Sequence, residues 1–301
     1  MSMMTSPIIL SSVLTVPPNS KIEAVTPDLA NQSKTPMWVD EIRIHSETPT
    51  IEGQPLLTLF QLRFRFALGR HPLTSDFIPA PLLGKVLNET QDRQAGPLDT
   101  DTGYVSWRLP RPLYVPPGGF LVPTCFNSLD PYVNRTANVR VSYVGRSIES
   151  AMIEPKRIDI PWVAMFLGET RVGGPDAIFV EESRESDLYN PFDVPLRVQR
   201  FIGRIPWIAD LNQMSERVPI MTSGLHSLVR MTTSEGHHAI KEPTPFGHVF
   251  NVTDRSWNAA SILKPKGFYL ATIDEDFTAA VFENYAFQTL ISMIGSREEA
   301  I

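Results

Sequence analysis

Apolar and polar positions alternate with a period of two through much of the chain, which predicts strands rather than helices. In Leu59-Phe60-Gln61-Leu62-Arg63-Phe64-Arg65-Phe66, residues Leu62, Phe64 and Phe66 share one face, and Gln61, Arg63 and Arg65 the other. Trp38-Val39-Asp40-Glu41-Ile42-Arg43-Ile44 alternates in part, and short apolar runs follow at 104–107, 113–115, 120–122 and 139–144. Each is bounded by Pro, Gly or Asn, the residues that close strands with turns. Strands recurring at about 8–12 residues without helical periods predict an all-β sandwich. Helix is expected only as a turn or two, at 82–90 and 276–285, and long loops at 172–176 and along the acidic run 181–187. Residues 1–35, rich in Ser, Thr, Pro and Asn, hold neither period and read as an extended arm that docks elsewhere.

The pattern also repeats within the chain. Adding 150 to the residue number sets Ser106-Trp107 on Ser256-Trp257, Leu113 on Leu263, Asn134 on Asn284, Ser142 on Ser292, Gly145 on Gly295 and Glu149 on Glu299. One single-residue gap adds Pro116 on Pro265, Gly118 on Gly267 and Leu121 on Leu270. Upstream, Pro36-Met37-Trp38-Val39 resembles Pro161-Trp162-Val163, Leu59 to Phe64 resembles Leu196 to Phe201, and Pro79 to Gly84 resembles Pro243 to Gly247. The expected organisation is an arm at 1–35 and two sandwiches at 36–152 and 153–301, joined near the polar Glu154-Pro155-Lys156-Arg157.

Composition narrows the function classes. Apolar residues make up 42%, enough for a packed core, and 27 prolines against 17 glycines disfavour a helical bundle. The formal charge of −6 argues against a surface built to wrap nucleic acid. A single cysteine, Cys125, rules out an internal disulfide framework and a cysteine-based zinc cluster. No run approaches the roughly 20 apolar residues of a membrane span. The opening Met1 to Leu10 lacks a basic segment and does not read as a signal peptide. The Asn-x-Ser/Thr matches at Asn31, Asn88, Asn134 and Asn251 therefore carry no glycosylation argument.

Candidate chemistry is sparse. His237-His238 with His248 has no recognised ligand spacing, and neighbours on a strand point to opposite faces. Cys125 reads as a buried structural thiol. Asp99-Thr100-Asp101 before Gly103 offers hard oxygen ligands but lacks the rest of a calcium loop; a plain turn and a calcium site at a subunit boundary both stay open. Asp274-Glu275-Asp276 has the same ambiguity, with an acidic helix start as the third option. Trp107, Trp257, Gly145 and Gly295 are read as structural core positions of the repeat, the tryptophans as anchors rather than sugar platforms. No phosphate loop, nucleophile elbow or dinucleotide fingerprint is present. Catalytic and cofactor-binding residues are therefore expected to be none, with calcium at Asp99, Asp101 or Asp274 the one candidate ion.

The two Trp-to-Gly blocks, 107–145 and 257–295, with their Pro-Pro-Gly and Lys-Gly turns and the polar arm before Trp38, resemble the double jelly-roll major capsid proteins. These belong to tailless icosahedral viruses of the PRD1–adenovirus lineage, tectivirus-like and corticovirus-like bacteriophages among them. The resemblance implies two eight-stranded jelly rolls, no enzymatic activity, and a homotrimer that tiles a virion shell as a pseudo-hexamer over an internal membrane. It implies synthesis in the host cytoplasm, and as partners neighbouring trimers, minor capsid or penton proteins and that membrane, with no specific nucleic-acid binding. The competing readings are a double-sandwich enzyme of the secreted type and a tandem carbohydrate-binding or spike module.

Overall fold

The computed structural model describes residues 5–24, 27–46, 62–87, 104–128, 136–148, 155–171, 178–204, 208–210, 217–218, 227–250, 255–276 and 285–300. The chain divides into two compact units, Met1–Val163 with Gly295–Ile301, and Ala164–Ile294. In the first, one sheet runs in the order β1 (Thr5–Val16), β10 (Ala137–Ile148), β3 (Met37–Ser46), β8 (Tyr104–Val115), β7 (Lys85–Leu87). The other runs β2 (Lys21–Glu23), β9 (Leu121–Asn127), β4 (Leu62–Leu68), β5 (His71–Pro72), with β6 (Ile78–Pro79) also on β4.

The second unit has the sheet β16 (Arg217–Val218), β15 (Ile208–Asp210), β21 (Tyr285–Ala300), β14 (Leu196–Arg204), β19 (Ser256–Leu263), with β11 (Arg157–Arg171) also on β21. Its other sheet runs β12 (Ile178–Glu182), β20 (Phe268–Asp276), β17 (Ser227–Thr233), β18 (His238–Pro245), with β13 (Leu188–Tyr189) on β20. The order β1-β10-β3-β8 is thus repeated as β11-β21-β14-β19, and β2-β9-β4-β5 as β12-β20-β17-β18. The chain visits the two sheets of each unit in the same sequence. Two antiparallel sheets traversed in that order form a jelly roll, and the protein is two of them in tandem.

Alternation places the cores. Along β4, Leu62, Phe64, Phe66 and Leu68 are buried, while Arg63 and Ala67 are half-buried and Arg65 is exposed, as the period of two requires. Register places the repeat. Ile42 on β3 lies opposite Trp107, and Phe201 on β14 lies opposite Trp257. Val39 lies opposite Leu113, and Val198 opposite Ser261. A bulge between these pairs is two residues longer on β8 than on β19, since Arg108 to Leu113 answers to Asn258 to Ser261. The spacing of the repeat therefore changes from 150 at the tryptophans to 148 at the following turn, where Gly119 answers to Gly267.

Several expectations are corrected. Residues 5–16 are no arm: they pair with β10 over their whole length. Ile8, Leu10, Ser12, Leu14 and Val16 alternate toward the core, a pattern hidden in the sequence because Ile9 and Val13 lie between them. The units divide at Val163/Ala164 inside β11 and at Ile294/Gly295 inside β21, so the last residues of the chain belong to the first unit. Leu196 to Phe201 forms β14, the counterpart of β3 rather than of β4, and Trp162-Val163 lies on β11, the counterpart of β1. Pro79 answers to Pro245, both ending the short ladder beside β4 or β17, two residues from the sequence match. The helix expected at 82–90 is a 3-10 turn, Ala80–Leu82, followed by β7. Residues 277–284 of the other, and the loop at 172–176, lie outside the described residues. The acidic run is no long loop: Glu181 and Glu182 end β12, and Ser183 is buried, accepting and donating to Ala271 across the sheet (2.8 and 2.9 Å).

Candidate functional site

Trp107 is fully buried and meets the ring of Phe66 edge-on at 5.5 Å, joining the two sheets of the first unit. Trp257 occupies the equivalent strand position and stacks on Phe201 at 5.4 Å, yet it is only half-buried. The repeat thus conserves the place of the indole but not its burial. Gly145 sits at a bulge on β10, where a Cβ would stand 2.0 Å from the carbonyl oxygen of Trp38, so no larger residue fits. Gly295, on β21, is buried.

Asp99 and Asp101 lie outside the described residues. Asp274 is held on β20 by Arg230, whose guanidinium stands 3.0 Å from its carboxylate. His237, His238 and His248 are all exposed, on the β17–β18 turn and on the one-turn helix Phe246–Val249. Among the described residues no three His, Cys, Asp or Glu side chains gather as metal ligands would, and no helix is long and apolar enough to cross a membrane.

Cys125 is fully buried on β9 between Ile22 and Phe64, and burial pushes its thiol well above the ordinary range. The thiolate is the nucleophile, so this cysteine is chemically silent in the folded chain. Maleimide at pH 8 is expected to leave the native protein unlabelled and to add one label per chain in urea; rapid labelling of native protein would contradict this placement.

The feature that the sequence pass missed is a pair of buried asparagines. Asn31 donates from Nδ2 to the carbonyls of Thr35 (3.0 Å), Val115 (3.1 Å) and Pro116 (3.3 Å) and accepts at Oδ1 from Ser33 N–H. Its own N–H donates to the Gly119 carbonyl at 2.8 Å. Asn190 donates from Nδ2 to Val194 (2.9 Å), Leu263 (3.4 Å) and Lys264 (3.0 Å), accepts from Phe192 N–H, and donates its N–H to Gly267 at 2.9 Å. Each of these five bonds of Asn31 has its counterpart at Asn190, and Asn31 Oδ1 also accepts from the Ser33 hydroxyl at 2.6 Å. Each amide ties the turn between β8 and β9, or between β19 and β20, to the segment entering β3 or β14. That turn needs a left-handed residue, supplied by Gly118 (φ 73°) in one copy and by Lys266 (φ 59°) in the other. The legible signal was Asn followed five residues later by Pro before a strand: Asn31 with Pro36, Asn190 with Pro195.

Polar chemistry on the outward face of the first unit is structural. Glu41 is bonded by Arg43 (3.0 Å) and by the Ser106 hydroxyl; burial alone would raise its pKa, and these donors outweigh it and lower it. Near the chain end, buried Arg297 bonds Glu299, which also meets His71 Nδ1 at 2.7 Å, and its guanidinium lies 6.0 Å from the Trp162 ring. These are ion pairs that fix strand ends.

The faces of the two copies differ. On β10 the outward residues Arg140 and Arg146 are exposed and Ser142 and Val144 half-buried. On β21 residues 289–297 are buried without alternation, both faces being closed.

No protein-family model matches the sequence, and no curated protein matches it. Among solved structures the fold is similar to PBCV-1 VP54 fitted into a reconstruction of the virophage Sputnik (TM-score 0.55, 8% identity, covering 99% of this chain and 95% of that one). It is similar also to a chain of the PBCV-1 virus capsid (TM-score 0.54, 10% identity, covering 99% and 95%). The major capsid protein P2 of bacteriophage PM2 aligns at TM-score 0.49 with 10% identity over 98% of both chains. Likeness at these identities concerns the fold, and it extends over both jelly rolls.

Proposed function

We propose that this chain is a non-catalytic structural subunit of an icosahedral virion shell, in which three copies form a pseudo-hexagonal tile. The observation that carries the reading is the duplication: the same strand order, the same tryptophan register and the same asparagine lock occur twice in one chain. Two like units per subunit give a trimer six nearly equivalent bodies, which suits packing against six neighbours. The fold likeness to a chain of the PBCV-1 virus capsid, and to PBCV-1 VP54 as fitted into the Sputnik reconstruction, supports the same reading. The shell we propose is that of an icosahedral virus, bacteriophage or otherwise, since those chains come from PBCV-1; a membrane beneath it, penton partners and calcium at Asp99, Asp101 or Asp274 belong to the same proposal.

Light scattering on the purified full-length protein is expected to give three times the chain mass, and negative-stain images to show hexagonal tiles, sheets or shells. A monomer that forms no lattice at any concentration and gains a saccharide-dependent shift would instead establish the carbohydrate-binding module.

A further inference from the structure

We infer that the outward face of the β1–β10 ladder is the surface on which a second copy of this chain docks; the inference rests on the shell-subunit reading and assigns that subunit one of its contacts. Ile9 is 63% and Val13 40% exposed on β1, two of the few large apolar side chains so open among the described residues. Ile9 lies opposite half-buried Val144, and Val13 opposite Arg140. Between them Ser11 and Ser142 share a hydrogen bond of 2.9 Å, and beyond them Thr15 bonds Asn138 at 2.9 Å. The face is therefore an ordered ladder carrying an apolar ridge, rather than a loose end.

The second jelly roll supplies the comparison. By the 150-residue spacing, Arg140, Ser142, Val144 and Arg146 answer to Leu290, Ser292, Ile294 and Ser296. Those four are 3%, 0%, 0% and 1% exposed. One copy of the repeat has this face closed, and the other leaves it open with apolar groups in water. Apolar groups held open in water on an ordered ladder mark where the next subunit fits. The contact joins unlike surfaces, the geometry that closes into rings. Charge agrees: Arg43 and Arg146 pair with Glu41 (3.0 Å) and Asp40 (3.7 Å), and Arg140 leaves the face net positive in a chain of formal charge −6, so a second copy is not repelled.

The test uses the full-length chain carrying Ile9→Asp with Val13→Asp, beside wild type and an Ile262→Asp control, which alters an apolar residue 70% exposed on the second unit. Light scattering is expected to show trimers for wild type and the control, and monomers for the double variant with unchanged far-ultraviolet dichroism. Trimers from the double variant beside a trimeric wild type overturn this assignment and leave the shell-subunit reading standing. A wild-type monomer or dimer overturns the reading itself, and the assignment with it. Should the double variant misfold, Ile9→Cys serves alone, because Cys125 is buried. Its maleimide labelling is expected to be at least tenfold slower in the trimer than after mild dissociation, and equal rates refute the contact.

Discussion

Replacing Trp107 with alanine is expected to destabilise the protein by about 3–5 kcal/mol, the range for deleting a buried large aromatic. The indole is fully buried, with its ring edge-on to that of Phe66. For a unit of this size the loss lowers the melting temperature by about 6–20 °C. Trp257→Ala removes a half-buried ring from the equivalent place and is expected to cost about half as much. Trp107→Phe separates packing from polarity. The Trp107 Nε1 has no hydrogen-bond partner among the described residues, so phenylalanine keeps most of the contact with Phe66 and removes an unmet donor. It should retain most of the stability that alanine loses. Equal midpoints for the two alanine variants in urea unfolding would contradict the asymmetry between the copies.

The second large effect belongs to the asparagines. Asn31→Ala or Asn190→Ala strips the donor from one buried main-chain carbonyl, that of Val115 or Leu263, and from two part-buried ones, and each substitution is expected to cost about 2–4 kcal/mol, beyond the loss of a single ordinary hydrogen bond. Asparagine to aspartate is nearly isosteric but puts a carboxylate oxygen where Nδ2 faces those carbonyls, an uncompensated buried charge. The aspartate variants are therefore expected to be less stable than the alanine variants in both copies, measured by chemical unfolding at pH 7. An aspartate tolerated at either position would mean that the amide oxygen, not the nitrogen, faces the turn.

Some of this was open to a reader of residues. The strict alternation of Leu62, Phe64 and Phe66 fixed β4 and its inward face, because a pleated strand has no other way to sort them. The match of Ser106-Trp107 to Ser256-Trp257 found two truly equivalent strands, as the register shows. The front half misled because short apolar runs resemble one another whichever sheet they join: Leu196 to Phe201 was set beside β4 when it forms the counterpart of β3. The asparagine lock stayed hidden because its meaning lies in carbonyls about 75–85 residues away.

Local pattern alone determined that the chain is all-β, that it is duplicated and that Trp107 heads a core strand, since periodicity and turn chemistry act over a few residues. Only the folded chain decided that residues 5–16 complete the first sheet, that the last residues return to the first unit, and that Trp257 is left half open. Those outcomes depend on which strands meet across long separations in sequence, and burial is a property of that meeting rather than of any residue by itself.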